Sequence, residues 1–252
     1  MGADNGAVKS ADRALAVLEL LAASPGLRFS EIADRLDLPR SSVHGLLATL
    51  VGRGFVDLDG HQHTYALGIK AWTIGQAYAG HRDLVGIAEP LMEELARTTG
   101  ETIQLARLDG VENVYIAIAD SPQPMKLVSA VGMRLPAYAT GLGKALLAGL
   151  DRDDLRGRLD RIEFERFTAH TVADRESLEA QLDRVAADGY ATDDEEYIIG
   201  CRCVAMPVRG RGGPVAAMSV SAPTPRCGPD WVAQTRRRLA DTVAQVEQRL
   251  ER

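Results

Sequence analysis

Residues 29–53 read FSEIADRLDLPRSSVHGLLATLVGR, and the reading of this stretch decides the architecture of the first third of the chain. The spacing predicts two short helices meeting at a tight break, Asp37-Leu38-Pro39, where proline cannot continue a helix and restricts the residue before it. Over 39–52, Val43, Leu46, Leu47 and Leu50 recur at i, i+3, i+4 and i+7, an apolar stripe for packing on the first helix. At about 100° per residue, the opposite side carries Ser41, Gly45, Ala48 and Gly52, flanked by Ser42, His44 and Thr49. Arg40 opens this helix, Arg53 follows it, and no Asp or Glu falls between 39 and 53. A small, polar, acid-free face of this kind can enter a DNA major groove. A helical hairpin inside any globular core can show the same narrow stripe, so the context decides.

Working outward, residues 10–23 (SADRALAVLELLAA) predict an amphipathic helix with Ser10 or Asp12 as cap and Leu15, Leu18, Leu20 and Leu21 as core. Ser30 can cap the next helix, 31–36, whose Ile32, Ala33 and Leu36 are spaced to pack on the first. After Gly54, FVDLDGHQHTYAL alternates apolar and polar positions about Asp59-Gly60, the signature of a two-residue hairpin turn and hence of a β-wing. His61, Gln62 and His63 fall at its tip, either to bond phosphates or the minor groove, or simply as a solvated loop. Residues 69–82 predict a linker helix with Trp72 and Tyr78 as large anchors, better suited to a dimer contact than to a cofactor box.

From Asp83 the pattern changes. A helix is expected over 84–99, with Pro90 in its first turn or at a kink. Strands follow over 102–108 and 111–119, joined at Asp109-Gly110, with a third over 126–131. Thr140 can cap a helix over 141–149, and further helices fall near 152–160 and 174–188. Strands return at 190–192, 203–208 and 215–221, Gly212-Gly213 turning the last pair, before a Pro-rich loop over 222–229 and a final helix. Strands, inserted helices and strands again make an α+β, sensor-like domain.

With 252 residues, 46% of them hydrophobic, the chain is long enough for two domains. The expected division is 1–68, a linker over 69–82, and 83–252. Residues 1–82 carry eight Lys+Arg against eight Asp+Glu, and the remainder 21 against 27. A neutral first domain can hold DNA only by local placement of its donors, not by bulk charge. Cys201, Cys203 and Cys227 cannot all pair, so reduced thiols are expected. Cys201-x-Cys203 lacks the second Cys or His pair of a zinc site, so no metal is expected. MGADNGAVKS has no apolar signal core, and no run of about 18 apolar residues follows; a soluble, cytoplasmic protein with no membrane partner is expected.

The chain order and several motifs resemble the IclR family of bacterial transcriptional regulators over nearly the whole length. The amino-terminal half is similar in RALAVLELLA, LPRSSVHGLLATLVGRGFV and YALGIK, and the rest in LPAYATGLGKALLAGL, GYATDDEEYIIGCRCVAMPV and AAMSVSAP. The resemblance implies a winged helix-turn-helix, a linker helix and a GAF/PAS-like effector-binding domain. It implies DNA readout by Arg40, Ser41, Ser42, His44 and the next position, frequently Arg in the family but Gly45 here, with Thr49 on the same face. It also implies a pocket between Thr140-Gly141-Leu142-Gly143 and the late strands, with Asp193, Glu196 and Cys203 matching pocket positions. Ser219 and Ser221 project from one face of the last strand because strand side chains alternate. Backbone N–H groups at the start of a helix from Gly141 can hold a carboxylate. On the residues alone, the two glycines can equally serve tight packing, and the acids from Asp193 to Glu196 a solvated turn.

The expected partners are a double-stranded DNA operator, a small organic acid or aromatic metabolite, and further copies of the chain as a homodimer or homotetramer. No cofactor is expected. Two other classes stay open: a small-molecule-metabolising enzyme, for which Asp193 and Glu196 lack a nucleophile or second base, and a ligand-binding module without DNA binding.

Overall fold

The computed structural model describes residues 8–75 and 79–251 and divides into two compact units, one up to Ala79 and one from Gly80 onward. The first unit opens with α1 (Lys9–Ala23), β1 (Leu27–Arg28), α2 (Phe29–Arg35) and α3 (Arg40–Gly52). Then come β2 (Val56–Asp59), β3 (Thr64–Leu67) and α4 (Ile69–Gly75). Val43, Leu47 and Leu50 of α3 are buried against Val17, Leu21, Ile32 and Ala33 of α1 and α2. The predicted stripe is therefore the core of this unit.

Several local expectations change. Val8 precedes α1 without a side-chain cap, so neither Ser10 nor Asp12 caps it, and the buried stripe runs through Val17 and Leu21 while Leu15 is 59% exposed. Helix α2 starts two residues early, directly after β1. Its first turn is closed by the Glu31 carboxylate, which accepts the Arg28 N–H at 2.8 Å, rather than by Ser30. In the wing, Asp59 pairs with Thr64, so the loop is Gly60–His63, four residues and not two. The Asp59 carboxylate accepts the N–H groups of His61 (2.8 Å) and Gln62 (3.1 Å), and His63 takes a left-handed φ of 54°. A side chain mimicking a turn lets the longer loop close. The short strand β1, which the periodicity did not signal, adds a third strand to the wing. Within the expected linker, the described part of the helix is Ile69–Gly75, where Trp72 is exposed; Tyr78 lies outside the described residues.

The second unit contains α5 (Ala79–Thr99), β4 (Thr102–Asp109), β5 (Glu112–Ala119) and β6 (Arg134–Pro136). After a 3-10 turn at Ala137–Ala139 come α6 (Gly141–Leu147), α7 (Arg152–Leu159), α8 (Arg175–Asp188) and β7 (Ala191–Asp194). The chain closes with β8 (Cys201–Gly210), β9 (Gly213–Pro223), a 3-10 turn at Thr224–Arg226 and α9 (Trp231–Leu250). Pro90 lies inside α5, not in its first turn. The six strands form one antiparallel sheet in the order β6-β5-β4-β9-β8-β7.

The sheet has two dissimilar faces, as strand alternation requires. Ile103, Leu105, Val204, Met218 and Val220 meet Met92 and Leu95 of α5 and Leu239, Val243 and Val246 of α9 in a continuous apolar core. The other face carries Ala106, Tyr115, Cys203, Ala205 and Ala217 beneath Leu142, Ala145 and Leu146 of α6. The third strand expected over 126–131 is absent. That segment has no ladder, and β5 pairs with Arg134–Pro136 instead, through Glu112↔Pro136 and Val114↔Arg134. The turns between paired strands also fall one residue from expectation, at Gly110-Val111 and Arg211-Gly212, because Asp109 pairs with Glu112 and Gly210 with Gly213.

Candidate functional site

In the first unit, the outward side of α3 is open: Arg40, Ser41, His44, Gly45 and Thr49 are exposed and Ser42 half-buried. Thr49 Oγ1 donates to the Gly45 carbonyl at 2.8 Å, so its hydroxyl hydrogen is already used. A Cβ at Gly45 would meet nothing within 4 Å, which shows that the glycine is not there to relieve crowding. At the wing tip, Arg28, His61, Gln62, His63 and Thr64 line one shallow depression. Arg28 was not singled out from the sequence; it reaches this group only because β1 pairs with β3 at Arg28↔Thr64, a non-local pairing.

In the second unit, a cavity of about 580 Å³ lies over the α6 face of the sheet. Its floor and end wall include Gln104, Tyr115, Thr140, Gly141, Leu142, Asp193, Cys203 and Ser221, and the segment from Lys126 to Ser129 borders it. Helix α6 sits close because Thr140 caps it, accepting the Gly143 N–H at 3.1 Å, and donates to Asn113 Oδ1 at 2.7 Å. The Thr140 hydroxyl is thus committed within the protein. Gly143 is required by approach: a Cβ there would stand 2.2 Å from the Ala137 Cα and carbonyl oxygen. A Cβ at Gly141 would meet Cys203 Sγ at 3.0 Å.

The strand registers put polar side chains in a row across the floor. Gln104 on β4 pairs with Ser219 on β9, Ser221 on β9 with Cys203 on β8, and Cys203 with Asp193 on β7. Ser219 and Ser221 both donate to Gln104 Oε1 at 2.9 Å. Asp193 Oδ1 accepts the Glu196 N–H at 2.8 Å. Burial pushes the Asp193 carboxyl up to about 7, assisted by the Glu196 charge and opposed by that N–H bond and by Lys144. Burial likewise pushes the Cys203 thiol up to about 12, so it stays protonated and unreactive.

Six of the eight residues expected to contact a ligand line this cavity: Thr140, Gly141, Leu142, Asp193, Cys203 and Ser221. Ser219 is fully buried behind it and supports Gln104. Glu196 is turned away, its Oε1 2.5 Å from Lys144 Nζ, which also donates to Gln181 Oε1 at 2.9 Å. The turn that carries Glu196 is pinned by Thr168 and Thr171, whose hydroxyls donate to the carbonyls of Glu195 (2.7 Å) and Glu196 (2.6 Å). Among the described residues, no helix is long and apolar enough to cross a membrane.

A winged helix-turn-helix with an open, acid-free helix face, carried on the same chain as a sheet domain that encloses a partly polar cavity, defines a ligand-responsive DNA-binding regulator. Two family models match, "IclR helix-turn-helix domain" over residues 10–60 and "Bacterial transcriptional regulator IclR C-terminal" over residues 76–248. The chain is 39% identical over 224 residues to the HTH-type transcriptional regulator BhcR of Paracoccus denitrificans, covering 88% of this chain and 80% of that protein. It is 36% identical over 220 residues to the regulator KdgR of Escherichia coli, covering 87% and 84%. The crystal structure of an IclR homolog from Microbacterium hydrocarbonoxydans complexed with 4-hydroxybenzoate superposes with a TM-score of 0.85 at 25% identity, covering 96% of this chain and 98% of that one. The chain belongs to the IclR family of bacterial transcriptional regulators: it joins an amino-terminal helix-turn-helix domain to a carboxy-terminal effector domain, and it acts as a DNA-binding regulator.

Proposed function

We propose that the regulator binds its operator through the outward face of α3 and releases or retains it according to a small organic acid or aromatic metabolite held in the 580 Å³ cavity. The observation that carries the effector assignment is the composition of that cavity. Apolar groups from Tyr115, Leu135, Leu142 and Ile198 line it together with a few polar ones, among them Gln104, Asp193, Cys203 and Ser221, and with the cationic side chains of Lys126 and Arg134. Pockets that hold small molecules in one orientation have this composition. The 4-hydroxybenzoate bound by the relative from Microbacterium supports the same ligand class.

On the DNA side, Arg40 is placed to contact guanine or a phosphate, with Ser41, Ser42, His44, Gly45 and Thr49 supplying close approach. Residues 1–68 form the DNA-binding domain, 69–82 the linker, and 83–252 the effector domain. A homodimer is the smallest assembly that presents two winged helices to paired half-sites, and a homotetramer would present four. For the ligand to regulate, it must bind unequally to conformers that differ in DNA affinity.

A thermal-shift screen of the purified protein against small carboxylic and aromatic acids tests this reading, followed by anisotropy titration of labelled upstream DNA with and without each hit. A stabilising acid that also changes DNA affinity is expected. Hits that leave DNA affinity unchanged would count against the regulatory link, and hits insensitive to Asp193→Asn would count against the cavity.

A further inference from the structure

The cavity floor contains a polar residue that no family motif pointed to. Gln104 is only 2% exposed, yet half of its carboxamide is unclaimed. Its oxygen accepts the hydroxyls of both Ser219 and Ser221, and two hydroxyl donors on one oxygen leave the NH2 as the free end. That nitrogen bonds none of the described residues, and it is not among the polar atoms sealed inside the protein without a partner.

We infer that Gln104 is a specificity-determining residue of the cavity, its NH2 reading a carboxylate or carbonyl oxygen at one pole of the ligand while Asp193 reads a hydroxyl or amine at the other. The inference rests on the cavity being the effector site and adds which chemistry each end selects. Because Gln104 leans onto β9 to meet the serines, it stands about two strand spacings from β7, roughly 10 Å. One ring or a short chain with a polar atom at each end spans that distance. At the far end, Asp193 Oδ1 is held by the Glu196 N–H, so Oδ2 is the atom left to the ligand. Tyr115, Leu142 and Ile198 cover the apolar body between the two poles. A ligand with only one pole leaves a buried donor or acceptor unpaired at the other end, which is how such sites discriminate.

Titration calorimetry on the full-length protein with 4-hydroxybenzoate, benzoate and 4-methylphenol separates the poles. Wild type is expected to bind 4-hydroxybenzoate at least about tenfold more tightly than either one-poled probe. Gln104→Glu keeps an oxygen for both serines but replaces the NH2 by an oxygen. It should erase the preference over 4-methylphenol and keep the preference over benzoate. Gln104→Met, which offers neither group, should do the same and guards against an effect of added charge. Asp193→Asn keeps the Glu196 contact and turns the free atom into a donor, so it should erase only the preference over benzoate. If Asp193→Asn behaves so and both Gln104 variants bind as wild type does, the inference on Gln104 falls and the cavity assignment stands. If none of the variants alters binding, the ligand sits elsewhere and both fall. Wild type that fails to bind 4-hydroxybenzoate, or binds all three probes equally, overturns the two-pole inference even where other acids give Asp193-dependent thermal shifts.

Discussion

Lys144 Nζ sits 2.5 Å from Glu196 Oε1, and both side chains are nearly closed off from solvent. The pair ties α6, whose first residues line the cavity, to the turn that follows β7, the strand that carries Asp193. Removing one partner leaves the other charge buried without compensation, a change that costs about 3–5 kcal/mol, whereas replacing both with well-packed neutral groups costs far less. Lys144→Met alone should therefore lower unfolding free energy by that amount in urea titrations, and the double variant Lys144→Met/Glu196→Gln should recover much of it. Additive losses would show that the two residues act independently.

Gly143 and Gly45 make opposite predictions although both lie on helices at candidate sites. At Gly143 a methyl group would overlap the backbone of Ala137, which cannot yield without moving the 3-10 turn. Gly143→Ala should cost about 3 kcal/mol or more, an overpacking penalty at the upper end of the usual range, and should abolish ligand-induced stabilisation along with it. The midpoint of denaturant unfolding measures the first effect and a thermal-shift assay the second.

These contrasts mark what the sequence could and could not carry. The α3 stripe was legible because a 3.6-residue period is a local property, and Thr140 was legible as a cap because its partner, Gly143, is three residues away. The wing loop is longer than the alternation about Asp59-Gly60 predicts, because that alternation does not reveal that the Asp59 carboxylate closes a four-residue loop. Leu127, Val128, Ala130 and Val131 look like a strand, but strand formation needs an edge to pair with, and β6 takes that edge of β5. Glu196 matched a pocket position by motif, while the residue that claims it lies 52 positions earlier in the chain. Gln104 is a single polar residue within a buried strand, and its significance depends on serines 115 and 117 positions away.

At Gly45 the space is open, so a long side chain can be added without disturbing α3. Gly45→Arg should place a cation on the face that carries Arg40, Ser41 and His44, tighten operator binding, and steepen the slope of log affinity against log salt by about 0.9 if it meets one phosphate. Anisotropy titrations at several salt concentrations read both quantities. An unchanged slope and affinity would mean this face does not meet the duplex.

Arg40→Ala makes the complementary prediction in the same domain. It removes the cation that opens α3 and should weaken operator binding by about tenfold or more, within the range of about 1–3 kcal/mol for a good bidentate base contact. Because Arg40 lies in the first unit and the cavity in the second, stabilisation of the protein by an effector should be unchanged. Equal operator affinity in wild type and variant would remove Arg40 from the interface.

The raised pKa of Asp193 gives stability a pH dependence whose sign follows from proton linkage. The folded protein holds this proton up to about pH 7, while the unfolded chain releases it near 3.8, so folding takes up a proton between those values. Stability from this group is complete below about pH 4, declines as pH rises toward 7, and is fully lost above it, a total of about 4 kcal/mol at most. Asp193→Asn cannot ionise and lacks this decline. The unfolding free energy of the variant minus that of wild type should rise from pH 4 to 7 and then level off, as measured by urea titrations across that range. A ligand that donates a hydrogen bond to Asp193 favours its charged form, so its binding should release a proton near pH 7, visible as a dependence of the calorimetric heat on buffer ionisation enthalpy. A flat difference between variant and wild type would mean that the Asp193 carboxyl is already ionised in the free protein at pH 4.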